Sequence, residues 1–131
     1  MKMNNIVPGI NYETKYIVEE EDTEKGRLEA LSSSRLLEWL EDAVVETVAP
    51  FLPRGYQAVG IGYDLRILSC TAEGMQVRIV VELQEVGQET LTFAVKAYDD
   101  MDKICEGKFI RKVISVEEYA QRLQKKAEQM R

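Results

Sequence analysis

Three segments in the middle of the chain alternate apolar and polar residues, the pattern of β-strands with one buried face. The apolar members of the first are Val59, Ile61, Tyr63, Leu65 and Ile67. Those of the second are Met75, Val77, Ile79, Val81 and Leu83, and those of the third are Leu91, Phe93, Val95 and Ala97. Their connections are short, which favours antiparallel pairing. We therefore expect an antiparallel sheet whose strands follow one another in hairpin-like succession.

One long helix is predicted before these strands, from about Arg35 to about Val48. The three serines at 32–34 can cap its start, because their hydroxyls accept hydrogen bonds from free backbone N–H groups. Three further elements complete the pattern: a strand at 12–18, a strand at about 104–114, and a C-terminal helix opened by the capping-box spacing of residues 115–118. The order predicts an α+β fold in a single domain spanning residues 1–131. Its exposed sheet edges favour a homodimer, with a tetramer as the alternative.

Histidine is absent from all 131 residues, although 45% of the residues are hydrophobic and 31% charged, as in globular proteins. The absence excludes Ser-His-Asp and Cys-His catalysis and any metal site that uses histidine ligands. Cys70 and Cys105 lie far apart with no other ligands clustered near them, so we expect two reduced thiols, no metal and no cofactor.

The net charge of −6 makes nucleic acid an unfavourable partner. Charge is nevertheless uneven, with −10 over residues 1–102 and +4 over residues 103–131. The basic C-terminal quarter is a weak indication of a phosphorylated ligand, and a solvated basic helix is the alternative. No apolar run is long enough for a membrane span or a signal peptide, so we expect a cytoplasmic protein with no membrane partner.

Two charged residues fall in apolar register. Glu41 lies towards the apolar arc of the predicted helix, where loss of hydration would make its carboxylate a better base; the alternative places it at the rim, in water. Arg111 shares the apolar face of the last strand with Cys105 and Phe109. Such an arginine pairs with a carboxylate or binds an anionic ligand. On the first of the three middle strands, the Gly60 and Gly62 pair permits a bulge or a close backbone approach.

The stretch from Ser33 to Arg111 resembles the hot-dog-fold thioesterase superfamily, most closely its fluoroacetyl-CoA thioesterase-like branch. The segments that carry the resemblance are residues 37–43 (LEWLEDA), 48–53 (VAPFLP), 59–66 (VGIGYDLR), 71–75 (TAEGM) and 106–111 (EGKFIR). The resemblance implies a curved antiparallel sheet wrapped around one long central helix. It also implies a dimer with acyl-CoA sites at the interface between the two copies.

Residue by residue, the resemblance implies catalytic roles for Glu41 and Ser33 and substrate-binding roles for Gly60 and Arg111. The backbone at Ser34, at the start of the helix, would polarise the thioester carbonyl together with that of Arg35. The catalytic histidine of the fluoroacetyl-specific enzymes has no counterpart, because Ile67 takes its place.

Three hypotheses follow for the function. The first is a thioesterase that hydrolyses a small or medium acyl-CoA with a helix carboxylate and no histidine. The second is a non-catalytic hot-dog protein that binds acyl-CoA or another small ligand. The third is a structural or assembly role, in which Glu41 and Arg111 form an internal ion pair.

Overall fold

The computed structural model of the chain describes residues 5–24 and 28–130. The elements, in chain order, are β1 (Asn11–Ile17), a 3₁₀ turn (Glu20–Asp22), α1 (Ser33–Val48), a second 3₁₀ turn (Ala49–Phe51), β2 (Tyr56–Ile67), β3 (Gln76–Val86), β4 (Thr90–Tyr98), β5 (Lys103–Ser115) and α2 (Val116–Glu128). All five strands form one sheet in the order β1-β3-β4-β5-β2, and all four neighbouring pairs are antiparallel. The predicted α+β class is confirmed.

The core lies between α1 and the sheet. The predicted apolar faces of β3 and β4 are confirmed, because their inward side chains are fully or almost fully buried: Val77, Ile79, Val81, Leu83, Leu91, Phe93, Val95 and Ala97. The helix contributes Leu36, Leu40, Val44 and Val48 to the same cluster. Each large apolar side chain buried in this way contributes roughly 1.5–3 kcal/mol to folding. This packing fixes which side of α1 faces away from the core.

The position of α1 is also set by its N-terminal half. Tyr16 on β1 stacks on Trp39, with ring centroids 4.4 Å apart. The Nε of Arg35 lies 3.0 Å from a carboxylate oxygen of the buried Asp22, which ties the first 3₁₀ turn to the helix. The helix packs mainly on β1, β3 and β4. The part of the sheet formed by β5 and β2 is therefore less covered by the helix.

The prediction that the four later strands follow in hairpin succession was wrong for β2. β3, β4 and β5 are neighbours as expected, but β2 pairs with β5 and forms one edge of the sheet. Its alternating side chains were expected to face the core, yet Ile61, Tyr63 and Ile67 are each more than half exposed. The pairing shifts between Gly60 and Gly62, and no strand in the described part of the chain lies on the outer side of β2, so these side chains stay uncovered.

The two cysteines are both free thiols. Cys70 is exposed, whereas Cys105 is buried, and this burial raises the pKa of the Cys105 thiol to about 11. A thiol with so high a pKa is almost entirely protonated near neutral pH and reacts poorly as a nucleophile. Across the described residues, no helix is long and apolar enough to cross a membrane.

Candidate active site

Arg111 is a buried cation that forms no ion pair with a carboxylate in residues 5–24 and 28–130. Its side chain sits on the inner face of β5, and the residue is only 7% exposed. Nη2 donates a hydrogen bond to the carbonyl oxygen of Ala58 at 2.9 Å, while Nε has no hydrogen-bond partner among the described residues. Burial lowers the pKa of Arg111 from its usual value, and the negative charge of Glu41 opposes that shift. An incompletely bonded buried guanidinium is costly, which makes this position unusual.

Gly60 gives the guanidinium its space. It lies opposite Arg111 in the pairing of β2 with β5, at the predicted bulge, which the structure confirms between Gly60 and Gly62. A Cβ atom at position 60 would lie 3.3 Å from Nη1 of Arg111. Gly60 and Arg111, to which the family resemblance assigns substrate-binding roles, are therefore in contact range of each other.

A groove of about 520 Å³ opens beside this pair, and we call it the Arg111 groove. Arg111 lines it, and the other lining residues come from the end of α1, the following turn and the start of β2: Val45, Val48, Ala49, Leu52, Pro53, Arg54, Gly55, Tyr56, Gln57, Ala58 and Val59. Glu41 lies one helical turn before Val45 on the same side of α1. Glu41 does not line the groove itself, but its charge is close enough to Arg111 to affect the pKa of the guanidinium.

Glu41 itself is exposed to solvent. Of the two alternatives drawn from the helical wheel, the structure supports the rim position, because Glu41 is not enclosed by the apolar arc of its own chain. Within the described part of the chain it takes part in no ion pair closer than 4.0 Å. An internal Glu41–Arg111 ion pair, the basis of the structural hypothesis, is thus not formed, although the two charges influence each other.

The three serines at the start of α1 differ in their hydrogen bonds. Ser32 is the N-cap, and its hydroxyl accepts a hydrogen bond from the backbone N–H of Arg35 at 3.1 Å. The expectation that the N–H of Arg35 is free to bind a carbonyl was therefore wrong. Ser33 is the first helical residue, is exposed, and has no hydrogen bond to its hydroxyl among the described residues. The Ser34 hydroxyl lies 3.4 Å from that of Ser32.

A second groove of about 550 Å³ begins at this helix start, and we call it the Ser33 groove. It is lined by Glu24, Leu28, Ala30, Leu31, Ser32, Ser33, Leu36, Ile67, Leu68, Ser69, Cys70, Thr71 and Ile104. The family resemblance matches Ser33 to a catalytic hydroxyl and puts Ile67 in the place of the catalytic histidine. Both residues line this groove. Sequence analysis missed Leu28 and Leu68, because both lie outside the helices and strands and no periodic pattern marked them.

The two grooves are separate within one chain. Ser33 and Glu41 are eight residues apart on α1, which places their Cα atoms about 12 Å apart along the helix axis. β2 starts at Tyr56 in the Arg111 groove and ends at Ile67 in the Ser33 groove. The structure thus brings Arg111 and Gly60 together, places Glu41 near them, and leaves Ser33 and Ser34 at the other groove.

The stability of Arg111 variants shows whether this arginine is needed for folding or is free to serve ligand binding. We expect Arg111→Met to leave the free energy of unfolding unchanged or up to about 1 kcal/mol higher, because it removes a buried charge that lacks a paired carboxylate. Urea denaturation followed by circular dichroism measures this, with Arg111→Lys as the control that keeps the charge. A loss of more than about 2 kcal/mol in the methionine variant would instead show that the arginine stabilises the fold.

Comparisons with known proteins identify the family of the chain. The family model described as fluoroacetyl-CoA-specific thioesterase matches residues 13–117. A fluoroacetyl-CoA thioesterase from Streptantibioticus cattleyicolor is 31% identical over 91 residues, which is 70% of this chain and 63% of that protein. The chain thus spans less than two thirds of the length of this curated relative.

Solved structures give the fold. A fluoroacetyl-CoA thioesterase superposes with a TM-score of 0.85 at 23% identity, over 92% of this chain and 97% of that one. A Thermus thermophilus protein of the thioesterase superfamily superposes with a TM-score of 0.90 at 20% identity, over 98% of both chains. A hot-dog-like protein from Thermanaerovibrio acidaminovorans has a TM-score of 0.89 at 24% identity, over 96% of this chain and 97% of that one. The expected hot-dog fold is confirmed, and the chain belongs to the fluoroacetyl-CoA-specific thioesterase family of hot-dog proteins.

Proposed function

We propose that the protein hydrolyses a small or medium acyl-CoA thioester, with Glu41 as the base and without histidine. The observation that carries this proposal is the exposed Glu41 carboxylate, which forms no ion pair among the described residues and lies near a buried Arg111 that also lacks a carboxylate partner. Family membership supplies the substrate class, since the curated relative is named for a CoA thioester.

The proposed site belongs to two copies of the chain. β2 pairs with β5 on one side only, and its outer edge has no partner strand among the described residues. Together with its exposed apolar side chains, this open edge is a surface suited to pairing with a second copy. Two β2 strands that pair antiparallel about a two-fold axis place the start of one strand beside the end of the other. Because each strand runs from the Arg111 groove to the Ser33 groove, this pairing brings Glu41 and Arg111 of one copy towards Ser33 of the other.

In this arrangement the chemistry divides between the copies. The backbone N–H groups of Ser33 and Ser34 and the Ser33 hydroxyl hold the thioester carbonyl oxygen and stabilise its developing charge. Glu41 of the other copy takes a proton from a water molecule, whose oxygen attacks the carbonyl carbon. The carbon–sulfur bond then breaks, and the proton is returned to the leaving CoA thiolate. Arg111 can hold an anionic part of the ligand.

A second candidate function is acyl-CoA binding without hydrolysis. The observation in its favour is the lack of any histidine in the chain, together with Ile67 in the groove where the family resemblance puts that residue. In that case Glu41 and Ser33 hold the thioester but no thiol is released.

Thiol release from a panel of acyl-CoAs separates the two candidates. The panel contains short, branched, aromatic and longer saturated acyl groups, and free CoA is detected with a thiol reagent. Release above the uncatalysed rate from at least one ester supports hydrolysis. Saturable binding of the same esters by calorimetry without release supports the binding function, and neither binding nor release contradicts both.

The proposed dimer gives a prediction of its own. We expect analytical ultracentrifugation to give a molecular mass of twice the chain mass of 15.0 kDa or a higher multiple of it. Ile61→Lys, which places a charge on the open edge of β2, should shift the population to monomer and remove thiol release at the same time. Ile17→Lys is the matched control, because Ile17 is similarly exposed but lies on β1 at the other edge. Equal effects of the two substitutions, or a fully active monomer, would contradict the shared site.

A further inference from the structure

The Ser33 groove has an apolar rim as well as an apolar floor. Leu28, Ile67 and Leu68 are large exposed side chains, and all three meet at this groove. Leu36 and Ile104 are buried beneath them and form its floor. Large apolar side chains gathered in this way on a surface mark a binding site for an apolar group.

Two of the hydroxyl groups that line the groove already take part in hydrogen bonds within the chain. The Ser32 hydroxyl accepts a hydrogen bond from the N–H of Arg35, and the Thr71 hydroxyl donates one to Asp99 at 3.1 Å. Glu24 is the one charged side chain among the described lining residues. The described lining residues of one chain therefore include no cation for a carboxylate at the far end of the acyl chain, and Glu24 repels such a carboxylate.

We propose that the Ser33 groove is the acyl pocket and that it selects uncharged, apolar acyl groups longer than acetyl, with Ile67 and Leu68 as the residues that determine this specificity. The inference rests on the proposed function, because it assumes that the thioester carbonyl is held at Ser33. From that point the acyl chain extends between the two side chains and over the floor of the groove. Each methylene group that becomes buried there raises the affinity about fourfold.

The test measures the binding of S-alkyl-CoA thioethers, which cannot be hydrolysed, alongside kcat/KM for the matching thioesters. We expect the hexyl thioether to bind at least about tenfold more tightly than the ethyl thioether, and kcat/KM to rise in parallel. A chain of similar length that ends in a carboxylate should bind at least about tenfold more weakly than the hexyl form.

Two substitutions assign the effect to the rim. Ile67→Asn and, separately, Leu68→Asn should each flatten the dependence of binding on chain length while leaving the ethyl thioether nearly unaffected. Ile17→Asn is the matched control, since Ile17 is 52% exposed against 51% for Ile67 and lies outside the groove. The control should keep the full chain-length dependence.

The outcomes distinguish this inference from the proposed function. Thiol release combined with equal binding of ethyl and hexyl thioethers overturns the inference and leaves hydrolysis standing. Chain-length-dependent binding that is lost in both rim variants, with no thiol release from any ester, supports the inference and overturns hydrolysis. Preference for the carboxylate-ended chain overturns the inference in either case, as does a chain-length dependence that survives both rim substitutions.

Discussion

Glu41→Gln is expected to lower thiol release by a factor of about 10²–10⁴, the range that a positioned general base contributes. The free energy of unfolding should stay within about 0.5 kcal/mol of the unsubstituted protein, because Glu41 is exposed and makes no ion pair among the described residues. One preparation of the variant serves for both measurements: steady-state thiol release gives the activity, and urea denaturation gives the free energy of unfolding.

Glu46→Gln is the matched control for this substitution. Glu46 is an exposed carboxylate on the same helix, and it too is absent from the ion pairs of the described residues. It should retain full activity. If Glu41→Gln also retains full activity, Glu41 is not the base, and the proposed mechanism is wrong even if the protein hydrolyses thioesters.

Gly107→Ala is expected to cause a large loss of stability, about 2–3 kcal/mol. Gly107 lies opposite Leu65 where β5 pairs with β2. A Cβ atom there would collide with the carbonyl oxygen of Asp64 and would lie 2.9 Å from the Cα of Leu65. Both atoms belong to the backbone of the neighbouring strand, so the strand itself must move. The change in the midpoint of urea denaturation measures the cost.

Gly62→Ala serves as the control for that experiment. Gly62 belongs to the same strand pair, but a Cβ atom at position 62 meets no atom within 4 Å. We expect a change of no more than about 0.5 kcal/mol. Equal destabilisation by the two substitutions would show that any side chain is harmful in this strand pair and that the close approach at Gly107 is not the cause.

Much of the fold was predictable because local patterns agree with the global structure. The alternation in β3 and β4 identified their buried faces, and the serines at 32–34 identified the start of α1 to within two residues. The place of β2 was not predictable from its own alternation. That pattern shows only that one face of a strand is apolar. It does not show whether residues of the same chain or of a second copy bury that face. In β2 the exposed members of the pattern point to a surface that a single chain leaves open.

The sequence singled out candidate site residues one by one, but it did not show how they are arranged. Arg111 and Gly60 broke the pattern of their strands, and the structure puts them in contact range. Glu41 and Ser33 were also identified, yet their eight-residue separation on one helix places them at different grooves. If the site is shared between two copies, as proposed, spacing along one chain could not reveal it, because the relation between the copies depends on which sheet edge is free.

An active-site complementation experiment tests the shared site most directly. Glu41→Gln and Ser33→Tyr, a substitution that fills the Ser33 groove, are each prepared separately and should be almost inactive. The two proteins are then unfolded together, refolded as a mixture and assayed for thiol release. A site shared between copies predicts recovery to about one quarter of the unsubstituted activity, since half of the dimers are mixed and each mixed dimer has one intact site of two. A mixture no more active than its two components would place Ser33 and Glu41 in the same site of a single chain and contradict the account.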